Sequence, residues 1–91
     1  MNITPPEQVG ILTQAGLQQM QIGNYAGAIQ KFDEALVIIP TSIHALQGRA
    51  FCKSLLCIVN LQLTPDQMRN YVQEIILDLE SATEALRHTF K

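Results

Sequence analysis

The sequence predicts an all-α protein, a right-handed stack of two antiparallel helix pairs, and three observations carry that prediction. Apolar residues recur at the i, i+3, i+4, i+7 spacing of a helix face along most of the chain. Proline and small polar residues punctuate that period around positions 4–6, 40–42 and 64–66, where helices begin or end. An apolar share of 47 % is enough to fill a core, and 15 % charged residues is too few for a disordered, highly charged tail. The length, 91 residues, allows one small domain over 1–91.

The first helix starts after Thr4-Pro5-Pro6, where proline suits the first helical turn and Glu7 meets the positive end of the helix dipole. It runs to about Gln21. Gly23-Asn24 is a turn signal, and the second helix, Tyr25 to Ile39, carries Ala28, Ile29, Phe32, Ala35, Leu36 and Ile39 on one face until Pro40 stops it. Thr41 or Ser42 caps a third helix that continues to about Asn60, and Leu61 to Leu63 connect it to the fourth. Thr64-Pro65-Asp66-Gln67 is the clearest start in the chain: a capping threonine, proline at the first helical position, and Gln67 completing a capping box. Met68, Tyr71, Val72, Ile75, Ile76, Leu79, Ala82 and Leu86 then recur to about His88, roughly 24 residues or about 36 Å of helix.

Helix faces sort the surface. Gln14, Gln18 and Gln21 cluster on one side of the first helix, and no charged residue occurs from Gln8 to Gln30. That stretch is either an ordinary amide-rich surface or a surface for a partner. The third helix is apolar on two sides, with Ile43, Leu46, Ala50 and Cys57 on one and Phe51, Cys52, Leu55, Leu56 and Val59 on the other. Arg49, Lys53 and Asn60 form a narrow polar stripe between them. One side packs on the first helix pair, so the other is covered by the fourth helix or by another chain. The fourth helix's stripe at Tyr71, Ile75, Leu79, Ala82 and Leu86 is either core or a seam between two chains.

From Val9 to Ser42 the small and large residues keep fixed offsets: Gly16, Ala28, Ala35 and Pro40, with Leu12, Tyr25 and Phe32 as the bulky positions. This pattern resembles the tetratricopeptide repeat, a helix pair of 34 residues in which Gly16 and Ala28 permit close approach of the two helices. A second, degenerate and elongated unit spans about 43–88. Its Asn70-Tyr71 echoes Asn24-Tyr25, but Glu74 stands where Ala28 did and Asp78 where Phe32 did. The resemblance implies an interaction module that binds a segment of another protein along the concave face made by the first helix of each pair. Carried over by position, the partner-binding candidates are Thr13, Leu17, Met20 and Gln21 from the first helix, with His44, Gln47, Phe51 and Leu55 from the third. Family members that clamp a terminal carboxylate use basic and Asn side chains where this chain has Thr13 and Leu17, so that mode of recognition is not implied.

The remaining chemistry is thin. A net charge of −2 gives no basic field for nucleic acid, and Arg69, Arg87, His88 and Lys91 make only a small basic end on the fourth helix. Cys52 and Cys57 lie about 140° apart around a helix, which excludes a local metal pair or redox motif and suits reduced cysteines in a cytoplasmic protein. Met1 to Glu7 lacks the basic cluster and apolar run of a secretion signal, and no apolar window is long enough for a membrane span. His44 and His88 read as solvated or capping residues, and Asp33, Glu34, Glu74, Asp78, Glu80 and Glu84 as occupants of polar helix faces. No enzyme, metal or cofactor is expected. The expected function is a small cytoplasmic adaptor or assembly factor, in which Leu17, Met20, Phe51 and Leu55 supply apolar area and Gln21 and Gln47 orient the ligand. The alternative is a structural, homo-oligomerising subunit whose groove is filled by its own fourth helix or an identical chain.

Overall fold

The computed structural model describes residues 2–59 and 62–89. They form helices α1 (Pro5–Gln21), α2 (Tyr25–Ile38), α3 (Ile43–Val59) and α4 (Pro65–Thr89), with no strand among the described residues. Asn60, Leu61 and Lys91, assigned above to the third helix, its connection and the basic end, lie outside the described residues.

Each helix end has a local cause. Pro5 and Pro6 fill the first turn of α1, and Thr4 Oγ1 accepts the Glu7 N–H at 3.4 Å. At its other end Gly23 turns the chain with φ +82°, a left-handed conformation that glycine adopts without steric cost. The Gly23 N–H then donates to Met20 O at 3.0 Å and the Asn24 N–H to Gln19 O at 2.9 Å, satisfying two terminal carbonyls. Asn24 serves both sides of the turn. Its Oδ1 accepts the Gly27 N–H at 3.0 Å to cap α2, and its Nδ2 donates to Gln19 Oε1 at 2.9 Å. Ile39 is already extended ahead of Pro40, which ends α2 at Ile38, one residue earlier than the periodicity suggests. Ser42, not Thr41, caps α3 through Ala45 N–H at 3.5 Å. The Thr64 and Gln67 capping box is reciprocal: Gln67 N–H donates to Thr64 Oγ1 at 3.1 Å, and Thr64 N–H to Gln67 Oε1 at 3.0 Å.

The helices pack as two hairpins, α1 with α2 and α3 with α4, joined mainly by α2 against α3. The result is 44 × 32 × 18 Å, its thin dimension about two helix diameters. Phe32 is the largest fully buried side chain, and small neighbours make room for it. A Cβ added to Gly16 of α1 would stand 2.7 Å from Phe32 Cε1, and one added to Gly48 of α3 would stand 2.5 Å from Phe32 Cζ. Two helices therefore close onto one ring from a third. Ala28, Ala35, Ala45 and Ala50 are likewise buried and let the backbones approach.

The second hairpin is held differently. Arg49 of α3 grips Asp78 of α4 with two hydrogen bonds, Nε to Oδ2 at 2.9 Å and Nη2 to Oδ1 at 2.6 Å, while its Nη1 reaches Asp33 Oδ1 of α2 at 2.8 Å. Lys53 adds a 3.1 Å ion pair to Glu74 and a longer 3.9 Å contact to Asp78. Asp78 is 5 % exposed, which corrects its expected place on a polar face. The hydrogen bonds that Arg49 donates to Asp78, aided by the one to Asp33, outweigh desolvation and raise the Arg49 pKa above its ordinary value, so the guanidinium stays charged. The inward face of α4 is corrected too. Leu79 and Leu86, placed above on the candidate core stripe, are 47 % and 37 % exposed, whereas Tyr71, Ile75, Asp78, Ala82 and Ala85 are buried or half-buried. In α3 the buried set is Ala45, Leu46, Ala50 and Cys52; Cys57 is only half-buried, and Phe51, Ile58 and Val59 are exposed.

Three substitutions test this account in urea titrations followed by circular dichroism. Gly48→Ala forces the Phe32 ring or α3 to shift and is expected to destabilise the fold by about 1 to 3 kcal/mol. Asp78→Ala leaves the Arg49 guanidinium only its bond to the more exposed Asp33 and is expected to cost on the order of 3 kcal/mol. Arg69→Ala, which removes only an exposed 3.7 Å pair with Asp66, should change stability by less than about 0.5 kcal/mol.

Candidate functional site

Phe32 lies against Gly16 of α1 and Gly48 of α3, and a groove runs between these two helices. It consists of two adjoining hollows of about 400 and about 430 Å³. Thr13, Leu17 and Met20 face His44, Gln47, Gly48 and Phe51 across the first. Gln14, Leu17, Met20 and Gln21 face Phe51 and Leu55 across the second, which Tyr25 of α2 closes at one end. Leu17, Met20 and Phe51 line both hollows, so the groove is continuous. All eight residues singled out from the sequence line it. Gln14, Tyr25 and Gly48 also line it and were not among them. Gln14 sits on the amide face already noticed on the first helix, whereas Tyr25 and Gly48 reach the groove only through the packing of α2 and Phe32.

The surface of the groove is mainly apolar, with neutral polar groups at intervals. Phe51 is 54 % exposed and Leu17 41 %, large apolar surface that the fold itself leaves uncovered. No Asp, Glu, Lys or Arg lines either hollow among the described residues. Thr13 Oγ1 is shielded from water yet has no hydrogen-bond partner within the chain. A buried hydroxyl without a partner costs free energy. Helix α4 lines neither hollow and does not touch α1 among the described residues, so the groove is not filled by the chain's own fourth helix.

A larger hollow of about 530 Å³ lies on the other side, between α2, α3 and α4. Its charged walls, Asp33, Lys53 and Glu74, are already engaged in the ion-pair network around Arg49 and Asp78. No group of three or more His, Cys, Asp or Glu suited to a metal occurs among the described residues, and no helix there is long and apolar enough to cross a membrane. His44 is exposed in the groove wall, and His88 lies near the end of α4 with Nε2 3.1 Å from Glu84 Oε1.

The two cysteines differ sharply. Burial pushes the Cys52 thiol from 9.0 up to about 11, since desolvation penalises the thiolate. Cys57 is half-buried and free. No family model matches the chain, and neither the curated proteins nor the solved structures gave a match.

At pH 8 a thiol reagent is expected to modify Cys57 in the native protein and Cys52 only after unfolding, as read by mass spectrometry of the labelled peptides. The raised folded-state value also fixes a sign. Stability from the neutral Cys52 thiol is complete below about pH 9, its unfolded value, and is lost as pH rises toward 11, so urea midpoints should fall across that window. Cys52→Ser should remove that part of the fall.

Proposed function

We propose that this chain is a protein interaction module of the tetratricopeptide type, an adaptor or assembly factor that holds a segment of another protein in the groove between α1 and α3. The observation that carries the reading is the continuous, uncharged and largely apolar groove, in which exposed Leu17 and Phe51 flank Met20 and amide side chains. A binding surface needs uncovered apolar area at its centre and neutral polar groups that fix register, and this groove supplies both. Leu17, Met20, Phe51 and Leu55 provide the area. Gln21 and Gln47, both exposed, offer donors and acceptors to the ligand's backbone, Thr13 helps form the wall, and His44 stands at the rim. The absence of fixed charge in the walls favours a segment with apolar anchors over an acidic or basic one, because a charged side chain brought here would lose hydration without gaining a partner. The 34-residue spacing from Val9 to Ser42 supports the same reading, with a second, irregular unit over 43–88. The module is proposed as cytoplasmic and non-catalytic.

Selection of random dodecapeptides on the immobilised protein tests this directly. Selected peptides are expected to be rich in apolar residues and to shift the amide resonances of Leu17, Met20, Gln47 and Phe51. Phe51→Ala should weaken them at least about tenfold, the loss of one hot-spot side chain, with unchanged helicity. Selected peptides whose binding survives both Phe51→Ala and Leu17→Ala would place recognition elsewhere.

A further inference from the structure

Helix α4 carries two stripes offset by one residue. The inward stripe is Tyr71, Ile75, Asp78, Ala82 and Ala85, and the outward one is Val72, Ile76, Leu79, Thr83 and Leu86. The outward stripe is the more apolar of the two, yet Val72, Ile76 and Leu79 each keep 47 to 50 % of their surface exposed. Thr83 does not interrupt it, because its hydroxyl donates to Leu79 O at 2.8 Å and its methyl is the free branch. The steps along this stripe alternate between four and three, the period of a coiled-coil seam, in which Ile76 and Thr83 take the a positions and Val72, Leu79 and Leu86 the d positions.

Charges beside the stripe choose an occupant and its direction. The e positions are Asp66, Gln73, Glu80 and Arg87, acidic at the start of the helix and basic at its end. A second α4 laid antiparallel, with the two-fold axis between Ile76 and Leu79, sets each Ile76 on the other copy's Leu79 and each Val72 on the other copy's Thr83. The same register puts Asp66 of each copy beside Arg87 of the other, at both ends of the seam, and Gln73 beside Glu80. A parallel arrangement would instead bring Arg69 against Arg69 at an a position, a like-charge contact, whereas the antiparallel register sets Arg69 against the other copy's Leu86, at the ends of the seam where the Arg stem covers apolar surface and its head stays in water. The stripe is thus self-complementary in one orientation, as a two-fold interface requires. The helix is also formed and anchored beforehand through Asp78 and Arg49, so pairing need not order it.

We propose that a second copy of this chain docks antiparallel on the outward stripe of α4. The groove between α1 and α3 takes no part, so the dimer would present two grooves, and the proposal stands independently of what those grooves bind.

Sedimentation over a concentration series tests it. The mass is expected to rise from the chain's 10.1 kDa to twice that value. Ile76→Glu with Leu79→Glu, both at exposed positions, should leave a monomer of unchanged helicity. Asp66→Arg and Arg87→Asp should each weaken dimerisation about tenfold, and the two together should restore it. Phe51→Ala should leave the mass unchanged. A wild type that stays at 10.1 kDa up to millimolar concentration overturns the proposal and leaves the stripe to a different chain. So does a dimer that persists in the double Glu variant, and failure of Arg87→Asp to rescue Asp66→Arg overturns the antiparallel register. Should the Glu variant lose helicity, the charge exchanges decide alone, since their sites are exposed in the folded chain.

Discussion

The spacing of α1 and α3 is set by the ring of Phe32. Because Gly16 and Gly48 both present bare backbone to it, each helix comes to rest on the ring at a distance that no side chain would permit. The groove runs between the two helices so seated. Leu17 is the neighbour of Gly16 in sequence, and Gln47 is the neighbour of Gly48. The residues that let the helices close are therefore flanked by residues that line what remains open. A larger side chain at either glycine would alter stability and groove shape together, so the same ring serves the core and the candidate site.

The second hairpin has no equivalent ring. Where α2 buries the ring of Phe32, α4 buries the carboxylate of Asp78, and what it meets is the fork of Arg49. A buried carboxylate and guanidinium are expensive to desolvate, and a hydrophobic replacement of matched shape is often as stable. The ion pair adds direction instead. Two parallel hydrogen bonds define the register of α4 on α3, and the third, to Asp33, ties that hairpin to α2. Apolar side chains slide past one another at small cost, whereas a bidentate pair is lost by a shift of one residue.

How much of this was legible in the sequence depends on whether the signal was local. Helix starts and stops were readable because their chemistry lies within a few residues: Thr64 with Gln67, Asn24 after Gly23, proline at Pro5 and Pro40. The groove residues were reachable through fixed offsets along α1 and α3, which the regular helix converts into a shared face. The inward face of α4 was only partly so: Tyr71, Ile75 and Ala82 stand on the expected stripe, whereas Asp78 and Ala85 take the places expected of Leu79 and Leu86. Periodicity counts apolar residues, and on α4 the more apolar stripe is the outward one. Only the position of Arg49 on another helix, 29 residues away in the chain, makes burial of Asp78 favourable. Long-range pairing of this kind leaves no mark in a helical wheel. The same limit applied to Tyr25, whose place at the end of the groove depends on how α2 sits against α1.

The exchange of an apolar anchor for an ionic one has a further consequence for surface. A helix has a limited circumference, and α4 devotes part of its inward arc to Asp78 and the small residues Ala82 and Ala85. Val72, Ile76, Leu79 and Leu86 lie about 100° away, one residue's rotation, on the neighbouring arc, while Ile75 stays on the inward one. The outward arc, with Val72, Ile76 and Leu79 each about half exposed, is left largely uncovered by α1, α2 and α3. Had the inward arc carried Leu79 and Leu86, α4 would have been anchored by apolar burial and its far side left polar. Placing the ion pair inside instead fixes the register of α4 and keeps its apolar length available at the edge of the fold.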